Sequence, residues 1–327
     1  MRRREFITLV GGAATGWPLA ARAQQSAMPV IGFLSPGWKE FDAPRLTGLH
    51  LGLNDTSYVE GRNLVVEYRW AQNQLDRLPT LAASLVQSRV ALIVTPGVPA
   101  ALAAKAAATT IPILFNVAAD PVQIGLVASL NRPGGNLTGF NQQNAELGAK
   151  ALALLHELVP SARVIGFLNN PRSPVTEELI TRDVLTAAPA IGVQIEVLKA
   201  STDREIAAAF DSLAQARIGA LLIANDFLFN SRMEQISTLA ARHAIPVMHS
   251  SPEFVAAGGL ISYGVSLVES YRPVGVYAGR VLKGEKPANL PVIQPTKFEL
   301  VINRKTAKAL GLAIPDKLLA LADDVID

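Results

Sequence analysis

The chain has 327 residues, half of them hydrophobic, with sparse aromatics, 17% charged side chains and a net charge of +3. This composition excludes a disordered chain and leaves room for about two domain cores. With no cysteine present, disulfides, thiol catalysis, thiolate metal sites and a lipidated lipobox are all excluded.

The first 23 residues read as an export signal rather than as part of the fold. Arg2, Arg3 and Arg4 form a basic start, Ile7 to Ala21 is a short apolar stretch, and Ala21-Arg22-Ala23 is a small-x-small cleavage site. A membrane anchor needs about 20 apolar residues, and Gly11, Gly12, Gly16 and Pro18 interrupt this shorter stretch. Arg3-Arg4-Glu5-Phe6-Ile7 also resembles a twin-arginine signal, although the general secretory route stays open. Removal of four arginines and Glu5 leaves the remaining chain neutral, so no basic surface argues for nucleic acid. The expected product is a periplasmic protein cut after Ala23.

Val30-Ile31-Gly32-Phe33-Leu34 returns as Val164-Ile165-Gly166-Phe167-Leu168, 134 residues later. Ile111-Pro112-Ile113-Leu114 is echoed by Ile245-Pro246-Val247-Met248 at the same offset, and Ala91-Leu92-Ile93-Val94 by Ala220-Leu221-Leu222-Ile223 at 129. Short apolar words in one order at nearly one spacing indicate a duplication of a whole domain. Each word is a continuous run of β-branched and leucine residues bounded by turn formers, the pattern of a strand buried on both faces of a parallel sheet. Alanine- and leucine-rich helical stretches lie between them, so each half is an α/β unit.

In chain order, the first strand ends in Ser35-Pro36-Gly37-Trp38, and a helix follows around 43–54. A strand over 64–69, a helix over 75–87 and a strand over 91–94 come next. Thr95-Pro96-Gly97 leads into a helix whose start has free amides for an anion. The strand over 113–117 runs into Ala118-Ala119-Asp120-Pro121, and a helix of about nine residues is expected to end near Asn131. A short strand over 137–140 is the first candidate hinge. The second half repeats the plan. Asn169-Asn170 ends a strand, and Ser173-Pro174 opens a helix with Glu177 and Glu178 in its first turn. Strand 193–198 and helix 203–216 follow. Asn225-Asp226-Phe227 ends strand 220–224, and His249-Ser250-Ser251 after helix 233–243 is the second candidate hinge.

Several of these segments are similar to the substrate-binding protein family of ABC importers usually labelled tryptophan/tyrosine-type. They include Arg3-Arg4-Glu5-Phe6-Ile7, Ala20-Ala21-Arg22-Ala23-Gln24-Gln25, Tyr58-Val59-Glu60-Gly61, Asp120-Pro121-Val122, Asn131-Arg132-Pro133-Gly134-Gly135-Asn136 and Pro295 to Asn303. The resemblance covers essentially the whole chain. It implies a type I periplasmic-binding fold: two Rossmann-like lobes with parallel sheets, joined by a hinge of three crossings. The expected lobes are 28–139 with 251–293, and 140–250 with 294–327. It also implies a small-molecule ligand, possession of a membrane permease partner, no nucleic acid and a monomer.

Open α/β sheets bind ligands beyond the carboxyl ends of their strands. The candidate ligand residues are therefore Ser35, Thr95, Gly97, Asn116 and Asp120 in the first lobe and Asn169, Asn170, Asn225 and Asp226 in the second. Ser251, Glu253, Tyr263 and Gly264 join them near the second hinge. Each of these residue types also favours turns for local reasons. No G-x-S-x-G, H-E-x-x-H, P-loop or G-x-G-x-x-G pattern occurs, and His50, His156, His243 and His249 lack metal-ligand spacing. No catalytic residue, metal or cofactor is assigned. An α/β enzyme using Asp120 and Asp226, and a sensor that presents its ligand to a receptor, are the alternatives. Family naming suggests an amino acid or aromatic compound, and Trp38, Phe115, Phe227 and Tyr263 lie near strand ends.

Export should leave a protein beginning at Gln24, which intact mass measures directly. Replacing Arg3 and Arg4 together by lysine should slow export, since the twin-arginine machinery reads the guanidinium pair. Unchanged export of that variant would assign the general secretory route.

Overall fold

A computed structural model describes residues 28–142, 147–172 and 174–327, with the side chains of 174–180 left aside. The export segment, Ser173 with its expected capping role, and the side chains of Glu177 and Glu178 lie outside what is described. The chain forms two α/β lobes. The first sheet has the order β2-β1-β3-β4-β5, built from β1 (Val30–Ser35), β2 (Val65–Trp70), β3 (Leu92–Pro96), β4 (Ile113–Val117) and β5 (Leu137–Asn141). All its pairings are parallel. Helices α1 (Ala43–Asp55), α2 (Leu78–Gln87) and α3 (Gly97–Ala107) connect the strands.

After α4 (Leu147–Leu158), the second sheet begins with β6 (Val164–Asn169), α5 (Pro174–Ile191) and β7 (Gln194–Lys199). It continues through α6 (Asp203–Ser212), β8 (Ala220–Ile223), α7 (Phe227–Asn230), α8 (Met233–Arg242) and β9 (Val247–His249). The repeated pentapeptide occupies the same place in each sheet: β1 lies between β2 and β3, and β6 between β7 and β8. Inward positions of both words are fully buried, Ile31, Phe33 and Leu34 in one lobe and Ile165, Phe167 and Leu168 in the other.

Two expectations need correction. Residues 121–136 form turns rather than a nine-residue helix. The Pro121 carbonyl accepts both the Leu126 and Val127 amides, and Gly125 stands at φ +71, which closes the chain on itself instead of propagating a helical ladder. The return to the first lobe also comes later than Ser251. Residues of α9 (Pro252–Ala256) join the second core, and β10 (Ile261–Gly264) pairs with β9 on one side and antiparallel with β11 (Glu299–Asn303) on the other. The crossing falls at Val265-Ser266, where Glu253 accepts the Leu267 amide at 3.0 Å and the Ser266 hydroxyl at 3.3 Å.

Beyond this crossing, α10 (Leu267–Leu282) packs on the first sheet, with Val274, Tyr277, Ala278 and Val281 in its core. Ile293 then bonds to both Gly139 and Asn141 of β5 before the chain re-enters the second lobe. There α11 (Arg304–Ala309), α12 (Asp316–Leu321) and β12 (Asp324–Ile326) finish the sheet, whose order is β12-β11-β10-β9-β8-β6-β7.

Glycine sets the distance between α1 and α10. A Cβ on Gly52 would lie 1.9 Å from the Arg272 carbonyl oxygen, and one on Gly275 would lie 2.2 Å from that of Leu49. Backbone therefore meets backbone, and neither partner is a flexible side-chain end that could swing away. Gly275→Ala should lower the melting temperature, since overpacking a close contact costs about 1–3 kcal/mol. A variant melting like the wild type would show that the helices part freely.

At the end of β9, the wholly buried His249 ring accepts the Ser251 amide through Nδ1 at 3.0 Å. The proton of the neutral ring therefore sits on Nε2. Burial pushes its pKa down to about 3. In the unfolded chain the same group titrates near 6.5, so between these values the unfolded state binds more protons. The stabilisation from neutral His249 is complete above about pH 6.5 and is lost as pH falls toward 3. From pH 7 to 5 the wild type should lose about 2 kcal/mol more unfolding free energy than His249→Asn, whose amide oxygen keeps the bond to Ser251. Urea titrations of both proteins at the two pH values measure this, and parallel losses would exclude His249 as the source.

Candidate ligand cleft

The carboxyl ends of the two sheets face one another across a front hollow of about 490 Å³. The first lobe contributes Pro36, Ala118 and the start of α3 at Gly97-Val98-Pro99. The first amides of an α-helix have no partner inside it and point along the positive end of its dipole. Gly97 makes this approach possible by adopting φ +78. Facing these amides, the second lobe contributes Asn170 after β6 and Asn225-Asp226-Phe227 after β8. Neither lysine nor arginine lines this hollow.

Asp226 has two attachments. Its Oδ1 accepts the Asn170 amide at 3.0 Å and the Leu228 backbone N–H at 2.8 Å, which makes it the N-cap of α7. Burial pushes its carboxyl above the ordinary range, while the bonds from Asn170 and the helix start act in the opposite direction. Asn170 is fixed in turn, because its Oδ1 accepts the Arg172 amide at 3.0 Å. The result is an acid held rigidly at the mouth of the second lobe.

Behind the front hollow, a chain of amides crosses between the lobes. Asn230 donates to Asn225 at 3.1 Å, Asn225 to Gln142 at 3.0 Å, and Gln142 to Asn116 at 2.7 Å. Asn116 then donates to the Ser270 carbonyl on α10 at 3.0 Å. Every bond runs in one direction, from α7 in the second lobe to α10 in the first. Asn116 and Asn225 were marked by their positions at strand ends. Gln142 was missed, although it follows β5 directly and carries the same strand-end signal.

A larger hollow of about 650 Å³ adjoins it, lined mainly by apolar groups of the second lobe. Phe167, Val184 and Leu222 form its walls, with Asp183, His249 and Tyr263 among the polar lining. It shares Ala118 and Asn225 with the front hollow. A third hollow of about 280 Å³ touches Ser251, Gly264, Gln142 and Asn225. Asn225 therefore borders all three.

Other candidates serve local structure. Ser35 is buried, and its hydroxyl accepts the Gly37 amide at 3.0 Å, turning the loop after β1. Thr95 is fully buried at the end of β3, and Asn169 donates to Thr181 at 2.9 Å. Asp120 accepts the Val122 and Gln123 amides at 2.8 and 3.3 Å and lines none of the three hollows. Glu253 is engaged at the crossing described above and also receives the Ser251 hydroxyl. Among the aromatics, Phe115 is core, Tyr263 borders the larger hollow, and Trp38 lies under the Arg232 guanidinium at 4.8 Å. No group of three or more His, Cys, Asp or Glu suited to a metal occurs among the described residues. Among these residues, too, no helix is long and apolar enough to cross a membrane.

Comparison with known proteins bears on the family and the fold. The chain is 31% identical over 265 residues to a tyrosine-binding protein of Clostridioides difficile strain R20291, covering 81% of this chain and 76% of that protein. An ABC domain from Streptococcus pneumonia in complex with L-Trp superposes with a TM-score of 0.83 at 25% identity, over 92% of this chain and all of that one. A ligand-free, open substrate binding protein with adhesive properties from Clostridium difficile gives 0.65 at 27% identity, over 91% and 99% of the two chains. Structures at 14% identity, including a leucine binding protein from Thermotoga maritima with TM-score 0.56 over 78% of this chain and 81% of that one, share the fold. The family model for ABC transporter substrate binding proteins matches residues 42–326, and the chain belongs to that family.

Proposed function

We propose that this protein is the periplasmic solute-binding component of an ABC importer, that it captures an amino acid between its lobes by hinge closure, and that it delivers the ligand to a membrane permease as a monomer. Export with removal of residues 1–23 belongs to the same reading. One observation carries it: the free amides at the start of α3 and the Asp226 carboxylate line a single hollow from opposite lobes. A zwitterion satisfies both. Its carboxylate takes the α3 amides and its ammonium takes Asp226, so neither charge is buried without a partner. Closing the lobes joins the two half-sites, which links binding to closure.

The larger apolar hollow, which shares Ala118 and Asn225 with the front one, then receives the ligand side chain. Its mainly apolar lining suits an aromatic group, consistent with relatives described as binding tyrosine and L-Trp. Better superposition on the L-Trp complex than on the open, ligand-free protein supports a closed arrangement of these lobes. The enzymatic alternative needs Asp120 and Asp226 at one centre, yet Asp120 is occupied by turn amides outside the hollow.

Calorimetric titration with L-Tyr and L-Trp tests the proposal. Asp226→Asn keeps an oxygen that can cap α7 but removes the charge, and should weaken binding by roughly 2–5 kcal/mol. Asp226→Ala would also lose the cap, worth about 1 kcal/mol of stability, and so confounds the measurement. Wild-type affinity in a folded Asp226→Asn protein would exclude Asp226 as the ammonium partner.

A further inference from the structure

One inter-lobe contact involves none of the polar groups assigned to the ligand. Phe227, the first residue of α7 in the second lobe, inserts its ring among three residues of the first lobe. It meets Phe41 edge-on, with centroids 4.7 Å apart and planes at 81°. The Arg45 guanidinium lies 4.8 Å from the Phe227 ring and 4.4 Å from the Phe41 ring. The ring also passes so close to Gly37 that a Cβ there would fall 2.3 Å from Phe227 Cε1.

The receiving side is preformed. Arg45 is only 3% exposed, and its guanidinium is held by the Phe41 carbonyl at 3.3 Å and by the buried Asp42 carboxylate at 3.5 Å. Asp42 is itself fixed by the Trp70 indole N–H at 3.0 Å. All these holding partners belong to the first lobe, so the cradle keeps its form when the second lobe moves away. The Phe227 ring is the one member supplied by the second lobe.

We propose that the Phe41–Arg45–Gly37 cradle and Phe227 form a closure latch, which stabilises the closed lobes through an aromatic contact independent of the ligand. Edge-on aromatic and cation–π contacts both favour the docked state, and separation of the lobes forfeits both. Phe227 directly follows Asp226, so seating of the ring also sets the acid against the α3 amides. The latch thereby couples ligand placement to closure without an extra charge pair.

The test reads lobe separation in the ligand-free protein, so its outcome does not depend on amino-acid binding. The chain lacks cysteine, and Gln87→Cys and Gln215→Cys, at exposed positions on opposite lobes, accept spin labels cleanly. Pulsed dipolar distances then report the closed and open populations. Phe227→Ala should lower the closed-to-open ratio about tenfold, the combined effect of losing both ring contacts. Gly37→Ala should act in the same direction, because its methyl group occupies the space of the docked ring; Gly37 does not have a positive φ, so alanine fits its backbone. Adding Gly37→Ala to Phe227→Ala should then change nothing further. Arg45→Lys keeps the charge beside Asp42 but loses the flat cationic face, and should fall between wild type and Phe227→Ala. Thermal melts confirm that each variant folds. Distance distributions unchanged in folded Phe227→Ala and Gly37→Ala proteins would overturn the latch. Equal effects of Gly37→Ala with and without the Phe227 ring would overturn it too.

Discussion

The backbone contact between α1 and α10 is the constraint on which the rest of the molecule depends. α10 belongs to the segment that leaves the second sheet at Val265-Ser266, and glycine at Gly52 and Gly275 lets it lie against α1 at backbone distance. Three features follow from its position. The Ser270 carbonyl ends the inter-lobe amide chain, Tyr271 lies beside the Asp42–Arg45 pair, and the Tyr277 hydroxyl holds the Pro291 carbonyl at 2.9 Å where the chain turns toward its last crossing. A larger spacing between these helices would shift all three. The Arg272–Asp55 ion pair across the same two helices is exposed, so the glycines rather than the charges set the geometry.

Much of this architecture was legible in the sequence because parallel strands buried on both faces leave an unambiguous apolar word. The two copies of the pentapeptide became equivalent strands of the two sheets, and the offset gave the duplication. Helix–helix approach left a weaker trace: Gly48-x-x-x-Gly52 and Gly275-x-x-x-Gly279 are visible only once the two helices are known to meet. The segment after Asp120, expected as a helix, folds into turns because local carbonyl sharing by Pro121 prevails. The crossing at Ser251 was displaced for a related reason. Sequence marks the end of β9, but it does not show that the next strand, β10, pairs with β9 instead of leaving the sheet.

Three acids carried the same strand-end signal, and their neighbours separate them. Asp120 meets two amides of its own turn, which satisfies it locally. Glu253 gathers the Ser251 and Ser266 hydroxyls and the first amide of α10, so its role is to hold a crossing. Asp226 caps only a four-residue helix, and it lines the same hollow as the start of α3 in the opposite lobe. Sequence position alone cannot distinguish these cases, because the donors come from segments that only the fold brings together. Gln142 shows the converse. It has an ordinary strand-end signal, and its importance comes from amides on both sides.

The kind of contact between the lobes bears on how the protein works. Among the described residues, every ion pair lies within one lobe. Across the cleft the contacts are amide bonds through Gln142, an aromatic ring on a guanidinium, and Arg232 of the second lobe over Trp38 of the first. A buried inter-lobe ion pair would have to be stripped of water at each closing and would leave lone charges if mismatched, a penalty of several kcal/mol per ion. Neutral amides are worth only about 1 kcal/mol net, and they exchange readily with water when the lobes part. Arg45 avoids the larger penalty because its counter-ion Asp42 travels with it in both states. In the proposed reading, charge recognition is left to the ligand, whose carboxylate and ammonium would complete the closed cleft. On that reading an empty cleft closes on amide and ring contacts alone, and a ligand adds its charge.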